Sequence, residues 1–266
     1  MTNQPLAGLL ANQGIAITRP VDQAKKLNAL ISAQGGTPIS FSLIEITALD
    51  DYRIFNQAIA PLESFDWAIF ISSNAVQNAM PRIIKQFGSI PKNLKFAAIG
   101  PVTAAELVKF GVDYVLTPEG RFAPERFDSE ALLALPEMQA VSGQNIMLFR
   151  GIGGRDLLAD SLTERGAKVT FAESYQRINP QTSCSMLEQL WRKQQLHAIV
   201  VTSSEAMRYL LQMAGDEIWL KSCVICVNHA RVAEPALALG LQIEVAKASG
   251  DEAMLALLLE SLTLTQ

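Results

Sequence analysis

Short runs of consecutive apolar residues punctuate the chain at 14–18 (GIAIT), 67–71 (WAIFI), 96–99, 145–149 (NIMLF), 198–202 (AIVVT) and 223–227 (CVICV). Runs this short, apolar without alternation, suit strands buried on both faces, as in a parallel sheet. Between them lie longer stretches with apolar residues three and four apart, the helical period. Helix-start signals follow the strands: Pro20 suits a first helical position, Ser72 and Ser73 suit caps, and Thr202 with Glu205 three residues on matches a capping box. Glycines then close the helices, at Gly35, Gly88, Gly111, Gly166, Gly215 and Gly240, where a left-handed residue is needed. Pro81 alone interrupts a helical stretch. The alternation predicts βαβ units on mainly parallel sheets, an α/β protein.

The pattern repeats at half length. Arg19 and Arg150 each follow a strand, Gly35 and Gly166 each close the next helix, and Ser72-Ser73 and Ser203-Ser204 each follow a later strand; all three pairs lie 131 positions apart. Gly111 and Gly240 lie 129 apart, the same order with a short deletion. Folding alone asks for closing glycines but not for the Arg and Ser-Ser matches, so the chain reads as a duplication giving two similar α/β lobes. Residues 37–47 and 168–177 are extended-looking and equivalent under the same shift. Strands there permit a crossing between lobes, with the first lobe combining the N-terminal βα unit and the C-terminal third.

Composition narrows the class. At 266 residues, one large or two ordinary domains fit, and 49% hydrophobic with 18% charged residues suits a globular protein rather than a disordered or membrane-embedded one. No apolar run reaches the roughly 18 residues of a spanning helix; the strongest, 253–259, is flanked by Asp251, Glu252 and Glu260 and reads as a terminal helix on a core. The first residues lack a basic n-region, so a cytoplasmic location with no membrane partner is expected. With 22 basic against 26 acidic residues and no basic run, no nucleic-acid partner is expected either. Three cysteines and two histidines without paired ligand spacing predict no metal.

In open parallel sheets ligands lie beyond the carboxyl ends of strands, where helix starts present free N–H groups. Ser72, Ser73 and Asn74, then Gly100, Pro101 and Thr103, then Arg150, Gly151, Gly153 and Gly154, and finally Thr202, Ser203 and Ser204 all fall at such turns. Each Ser or Thr alone is explained by capping. Together, facing one cleft, they suit a ligand with many carboxylates or phosphates, with Arg19, Arg150 and Arg155 supplying full charges. The run 151–154 (GIGG) has Asp156 where a dinucleotide fingerprint needs its third glycine, which disfavours a nucleotide cofactor, and there is no phosphate-cradling GxxxxGK[ST] loop. Cys223 and Cys226, three apart in a strand, point to opposite faces and read as structural thiols. His197 reads as a surface turn residue and His229 as a cleft-facing one. Tyr175, between Glu173 and Arg177, is structural on this reading.

Taken together, ITRP at 17–20, FISSNAV at 70–76, AIGPVTAAEL at 98–107, FRGIGGRDLL at 149–158, RGAKV at 165–169, SYQR at 174–177 and VTSSEAM at 201–207 resemble the uroporphyrinogen-III synthase family, in order and spacing, over nearly the whole chain. The resemblance implies two flavodoxin-like lobes joined by a two-stranded connector: a discontinuous first lobe of 1–38 and 178–266 and a second of 39–177, with connector strands near 39–47 and 168–177. It implies cyclisation of hydroxymethylbilane, a linear tetrapyrrole, with inversion of ring D and loss of water, without cofactor or metal. The substrate bears an acetate and a propionate on every pyrrole. By position, Tyr175 matches the tyrosine thought to assist departure of the hydroxyl. Arg19, Ser72, Ser73, Gly100, Thr103, Arg150, Gly151, Thr202, Ser203, Ser204 and His229 are the substrate-binding candidates, with Arg19 and Arg150 on carboxylates. A second Gly-Pro-x-Thr turn is absent; Asn228, His229, Ala230 and Arg231 stand there. A monomer is the expectation, and a transient contact with the preceding deaminase stays open. The rival reading is a two-lobed protein that binds a small anion, or senses one, without catalysis.

Overall fold

The computed structural model describes residues 8–118, 128–154, 156–214 and 218–263. Arg155 and Gly215, both named above, lie outside the described residues. The strands, in chain order, are β1 (Gly14–Ile17), β2 (Thr37–Ser40), β3 (Glu45–Ala48), β4 (Trp67–Phe70), β5 (Lys95–Ala98), β6 (Val115–Leu116), β7 (Asn145–Gly151), β8 (Lys168–Ile178), β9 (Ala198–Val201), β10 (Val224–Val227) and β11 (Gln242–Val245). They form a five-stranded sheet, β11-β10-β9-β1-β2, and a six-stranded sheet, β3-β8-β7-β4-β5-β6. Neighbours in the first sheet pair parallel, as do β8-β7, β7-β4, β4-β5 and β5-β6 in the second. The parallel α/β expectation therefore holds.

The chain divides into two compact units, one running up to Glu45 and resuming at Ile178, the other spanning Ile46–Arg177. The first crossing comes later than the expected 38/39 boundary, because Ile39 and Ser40 are still in register with Ala16 and Ile17 of β1. A shift of 131 carries the first residues of β1, β2 and β4 onto those of β7, β8 and β9, and a shift of 129 carries β5 onto β10. The order β2-β1-β9-β10-β11 is thus the order β8-β7-β4-β5-β6, the flavodoxin-like 2-1-3-4-5 arrangement in both. In the first unit the chain begins with the βα unit at the switch point; in the second it ends with it. The sequence duplication is a duplication of topology, circularly permuted.

Why these segments form these strands follows from where their side chains go. GIAI of β1, WAIF of β4 and AIVV of β9 are buried throughout, so no position needs a polar residue. Successive residues of β4 feed opposite layers: Ala68 and Phe70 join a cluster with Phe55, Met80, Phe149 and Tyr175, while Trp67 and Ile69 join Leu148, Leu158 and Leu162. Phe70 stacks on Phe149 of the neighbouring strand with ring centroids 4.3 Å apart. In the first unit Ile15, Ile17, Leu27 and Ile31 pack with Met254 and Leu258 of the Asp251–Thr263 helix, the terminal helix anticipated from 253–259. Among the described residues no helix is long and apolar enough to cross a membrane.

Of the glycines expected to close helices, Gly35, Gly88, Gly111, Gly166 and Gly240 all take positive φ. Pro20 is the residue before the Val21–Ala33 helix rather than its first member. His197 is not a surface turn residue: it is half-buried, and its Nδ1 accepts a hydrogen bond from Gly14 N at 3.0 Å, tying the starts of β1 and β9. Cys184, Cys223 and Cys226 are unpaired and buried.

Candidate active site

The switch point of the second unit lies between β7 and β4, where the strand order reverses. Ser72, two residues past β4, caps the Ser73–Phe87 helix, its Oγ accepting from Ala75 N at 3.1 Å. Ser73 is the first residue of that helix. Beside them β8 is irregular: the register slips between Arg150 and Gly151, so that Gly151 stands opposite Tyr175, and Ile152 N donates to Tyr175 O at 2.8 Å. Tyr175 lies across Gly151, where an added Cβ would come within 2.5 Å of the ring. Gly151 is the bare patch of backbone on which Tyr175 rests. The tyrosine is 0% exposed. Its hydroxyl lies 3.1 Å from Ser72 Oγ and accepts from Arg177 Nη2 at 3.3 Å.

The charge of Arg150 is matched within its own turn. It is 5% exposed, and its guanidinium donates to Gly153 O at 3.1 Å, to Gly151 O at 3.3 Å, to Gly154 O at 3.4 Å and to Asp156 Oδ1 at 2.8 Å. Gly153 and Gly154 sit at φ of 71° and 111°, which lets the turn curl its carbonyls around the side chain. The GIGG run is therefore an arginine-centred turn, and Asp156, the residue that spoils the dinucleotide frame, is the counter-ion of Arg150. Glu173 Oε1 closes the turn by accepting from Gly153 N at 3.2 Å. One strand further on, Gly100 precedes the Pro101–Lys109 helix in extended conformation, and Thr103 is buried within its first turn instead of lining a surface.

In the first unit the switch point lies between β1 and β9. Thr18 Oγ1 donates to Val200 O at 2.8 Å across it. Arg19 donates from Nε to Thr202 Oγ1 at 3.1 Å and pairs through Nη1 with Asp251, so its charge too is already matched within the protein. The cap is Ser203 rather than Thr202, its Oγ accepting from Ala206 N at 3.1 Å, so the expected Thr202–Glu205 capping box does not form, and Ser204 opens the Ser204–Ala214 helix. His229, after β10, is exposed and caps the Ala230–Leu237 helix, its Nδ1 accepting from Arg231 N at 3.1 Å. The neighbouring Asn228 Oδ1 is buried without a partner.

The structure thus brings Ser72, Tyr175, Gly151 and Arg150 together in one unit and Arg19, Thr202 and Ser203 together in the other. Thr103 and Gly100, and likewise His229, sit one strand away within their own sheets. Sequence reasoning missed Arg177 as the partner of Tyr175, Asp251 as the partner of Arg19, and Thr18. Among the described residues no three His, Cys, Asp or Glu side chains are grouped to hold a metal ion.

The chain matches the family model described as uroporphyrinogen-III synthase HemD over residues 25–256. It is 32% identical over 245 residues to the uroporphyrinogen-III synthase of Escherichia coli K12, covering 91% of this chain and 98% of that protein. It is 34% identical over 246 residues to the protein of the same name from Salmonella typhimurium LT2, with the same two coverages. Its fold is similar to that of a mutant uroporphyrinogen III synthase from the extremely thermophilic bacterium Thermus thermophilus, with a TM-score of 0.60 at 15% identity over 95% of this chain and 99% of that one.

Proposed function

The chain belongs to the uroporphyrinogen-III synthase family, and from that premise we propose that it cyclises hydroxymethylbilane to the asymmetric uroporphyrinogen III. The observation that carries this reading is the extent of the likeness: the match covers 91% of this chain and 98% of each of two relatives bearing that name. The geometry is compatible with the chemistry required. Loss of the hydroxymethyl oxygen as water leaves a cation that the pyrrole itself stabilises, so the protein must hold a flexible polyanion and assist one departing oxygen.

For the holding, we assign the starts of the helices Ser73–Phe87, Ser204–Ala214 and Ala230–Leu237, which present backbone N–H groups and positive dipole ends to acetate and propionate carboxylates. Arg19 and Arg150 act indirectly on this reading, shaping the turns at the two switch points through Asp251 and Asp156. Three unpaired, buried cysteines suit a reducing compartment, which supports a cytoplasmic location.

The test is direct. Purified protein is incubated with freshly generated hydroxymethylbilane, and the oxidised products are separated by isomer. Formation of the type III isomer with suppression of the spontaneous type I ring is the expected result. An unchanged type I yield would refute the assignment and favour a protein that binds an anion without catalysis.

A further inference from the structure

Tyr175 cannot touch a ligand in this structure, since none of it is exposed. Its hydroxyl nevertheless lies in a chain of three polar groups whose direction is fixed by what each group can give and take. Arg177 has only donors, so at 3.3 Å the Tyr175 oxygen accepts from it. The Tyr175 proton must then find an acceptor, and Ser72 Oγ at 3.1 Å is the oxygen within reach. Were Ser72 to donate instead, the buried phenol proton would be left without a partner, at the cost that goes with any buried unsatisfied donor. Ser72 Oγ thus accepts from both Tyr175 and Ala75 N, and its own proton is free to point outward. Ser72 is half-buried, the one member of the trio placed at the carboxyl end of β4, where ligands of such sheets lie.

We propose that Ser72 is the catalytic residue that donates the proton to the departing hydroxyl, that Tyr175 resupplies it from behind, and that Arg177 is a positioning residue that orients the phenol. The proposal rests on the cyclase reading above. In the step, the C–O bond of the hydroxymethyl group breaks with both electrons going to oxygen. That oxygen takes the Ser72 proton and leaves as water; Ser72 takes the Tyr175 proton; the phenolate so formed faces the Arg177 guanidinium. The positive charge left on carbon is spread over the pyrrole. When the macrocycle closes, the ring carbon that restores aromaticity sheds a proton, which returns through Ser72 to Tyr175, so that one water is lost overall.

A relay acts as a unit, and a double-mutant cycle reads that out. Ser72→Gly removes the hydroxyl while glycine still serves as a cap, Tyr175→Phe removes one oxygen from the core, and Arg177 is exposed, so all three are the mildest changes that remove each group. Each of the first two is expected to lower kcat by about a hundredfold with KM within about twofold, and the double variant to be no worse than either single one. Arg177→Met should lower kcat by about tenfold and Arg177→Lys should recover part of it. Wild-type kcat in Ser72→Gly or in Tyr175→Phe, or a double variant showing the product of the two single losses, overturns the relay; the Tyr175→Phe and Arg177 arms decide alone should Ser72→Gly not fold. A wild-type protein that forms no type III isomer would strike the cyclase reading itself, whereas type III formation with unaffected variants strikes only the relay.

Discussion

Replacing Gly151 with alanine should damage stability and turnover together, for one geometric reason. The new Cβ would stand 2.5 Å from Tyr175 Cε2 and 2.6 Å from Cζ, where ordinary contact begins at 3.4 Å. The ring must retreat by about 0.9 Å, into a cluster that contains Phe55, Phe70 and Phe149 and is packed at the density of a molecular crystal. Overpacking of this kind costs roughly 1–3 kcal/mol. A ring displaced this way carries its hydroxyl off the 3.1 Å contact with Ser72, where hydrogen bonds weaken steeply with distorted geometry. Urea unfolding of Gly151→Ala, alone and combined with Tyr175→Leu, separates the cause from any general intolerance of the turn. With the ring gone, the alanine should cost about 1–2 kcal/mol less than it does in the wild-type background. Equal cost in both backgrounds, or a Gly151→Ala protein within about 0.5 kcal/mol of wild type, would refute the steric account.

Arg150→Met should lose roughly 1–3 kcal/mol of stability, because Gly151, Gly153 and Gly154 lose the donor that organises their carbonyls. The salt dependence of KM should stay as in wild type, and a stable variant with altered salt dependence would return Arg150 to a ligand-binding role. Ser203→Ala should cost about 1 kcal/mol in denaturant unfolding through loss of its cap, and no measurable change would mean that the Ala206 amide finds another acceptor. Burial pushes the thiols of Cys223 and Cys226 up to about 12 and that of Cys184 up to about 11. The unfolded chain ionises these groups near 9, so above that pH it binds fewer protons than the native state, and stability should fall as pH rises from about 9 towards 12. Thiol reagents at pH 8 should leave the native protein unmodified and label all three cysteines once it unfolds; fast native labelling would contradict the burial.

Much of the fold was legible because buried parallel strands leave a strong local mark: GIAIT, WAIFI and AIVVT are apolar at every position because both faces are covered. The closing glycines were legible for a similar reason, since positive φ is costly for other residues. The site was less legible because its decisive partnerships are long-range. Nothing near Arg19 in sequence announces Asp251, 232 positions away, and nothing near Ser72 announces Tyr175, 103 away. Charge is ambiguous for the same reason: an arginine at the end of a strand offers the same letter whether it faces outward or, like Arg150, turns back into its own loop. The cap at Ser203 rather than Thr202 matches the cap at Ser72 131 positions earlier, and Thr202 instead accepts from Arg19.

The duplication makes the differences between the two units informative. Both copies keep the capping serine at the switch point, Ser72 and Ser203, with the same 3.1 Å bond to the amide three residues on. What stands behind the serine differs. Carried back by 131 positions, Tyr175 falls on Ile44, Arg177 on Ile46 and Gly151 on Pro20. The positions equivalent by that shift therefore carry no phenol, no guanidinium and no bare backbone; Arg19 reaches Thr202 and Asp251 instead. A shared cap with a polar chain behind only one of them is what a divided task would produce: on the relay proposed above, proton transfer is confined to the copy in which Gly151 admits the ring of Tyr175.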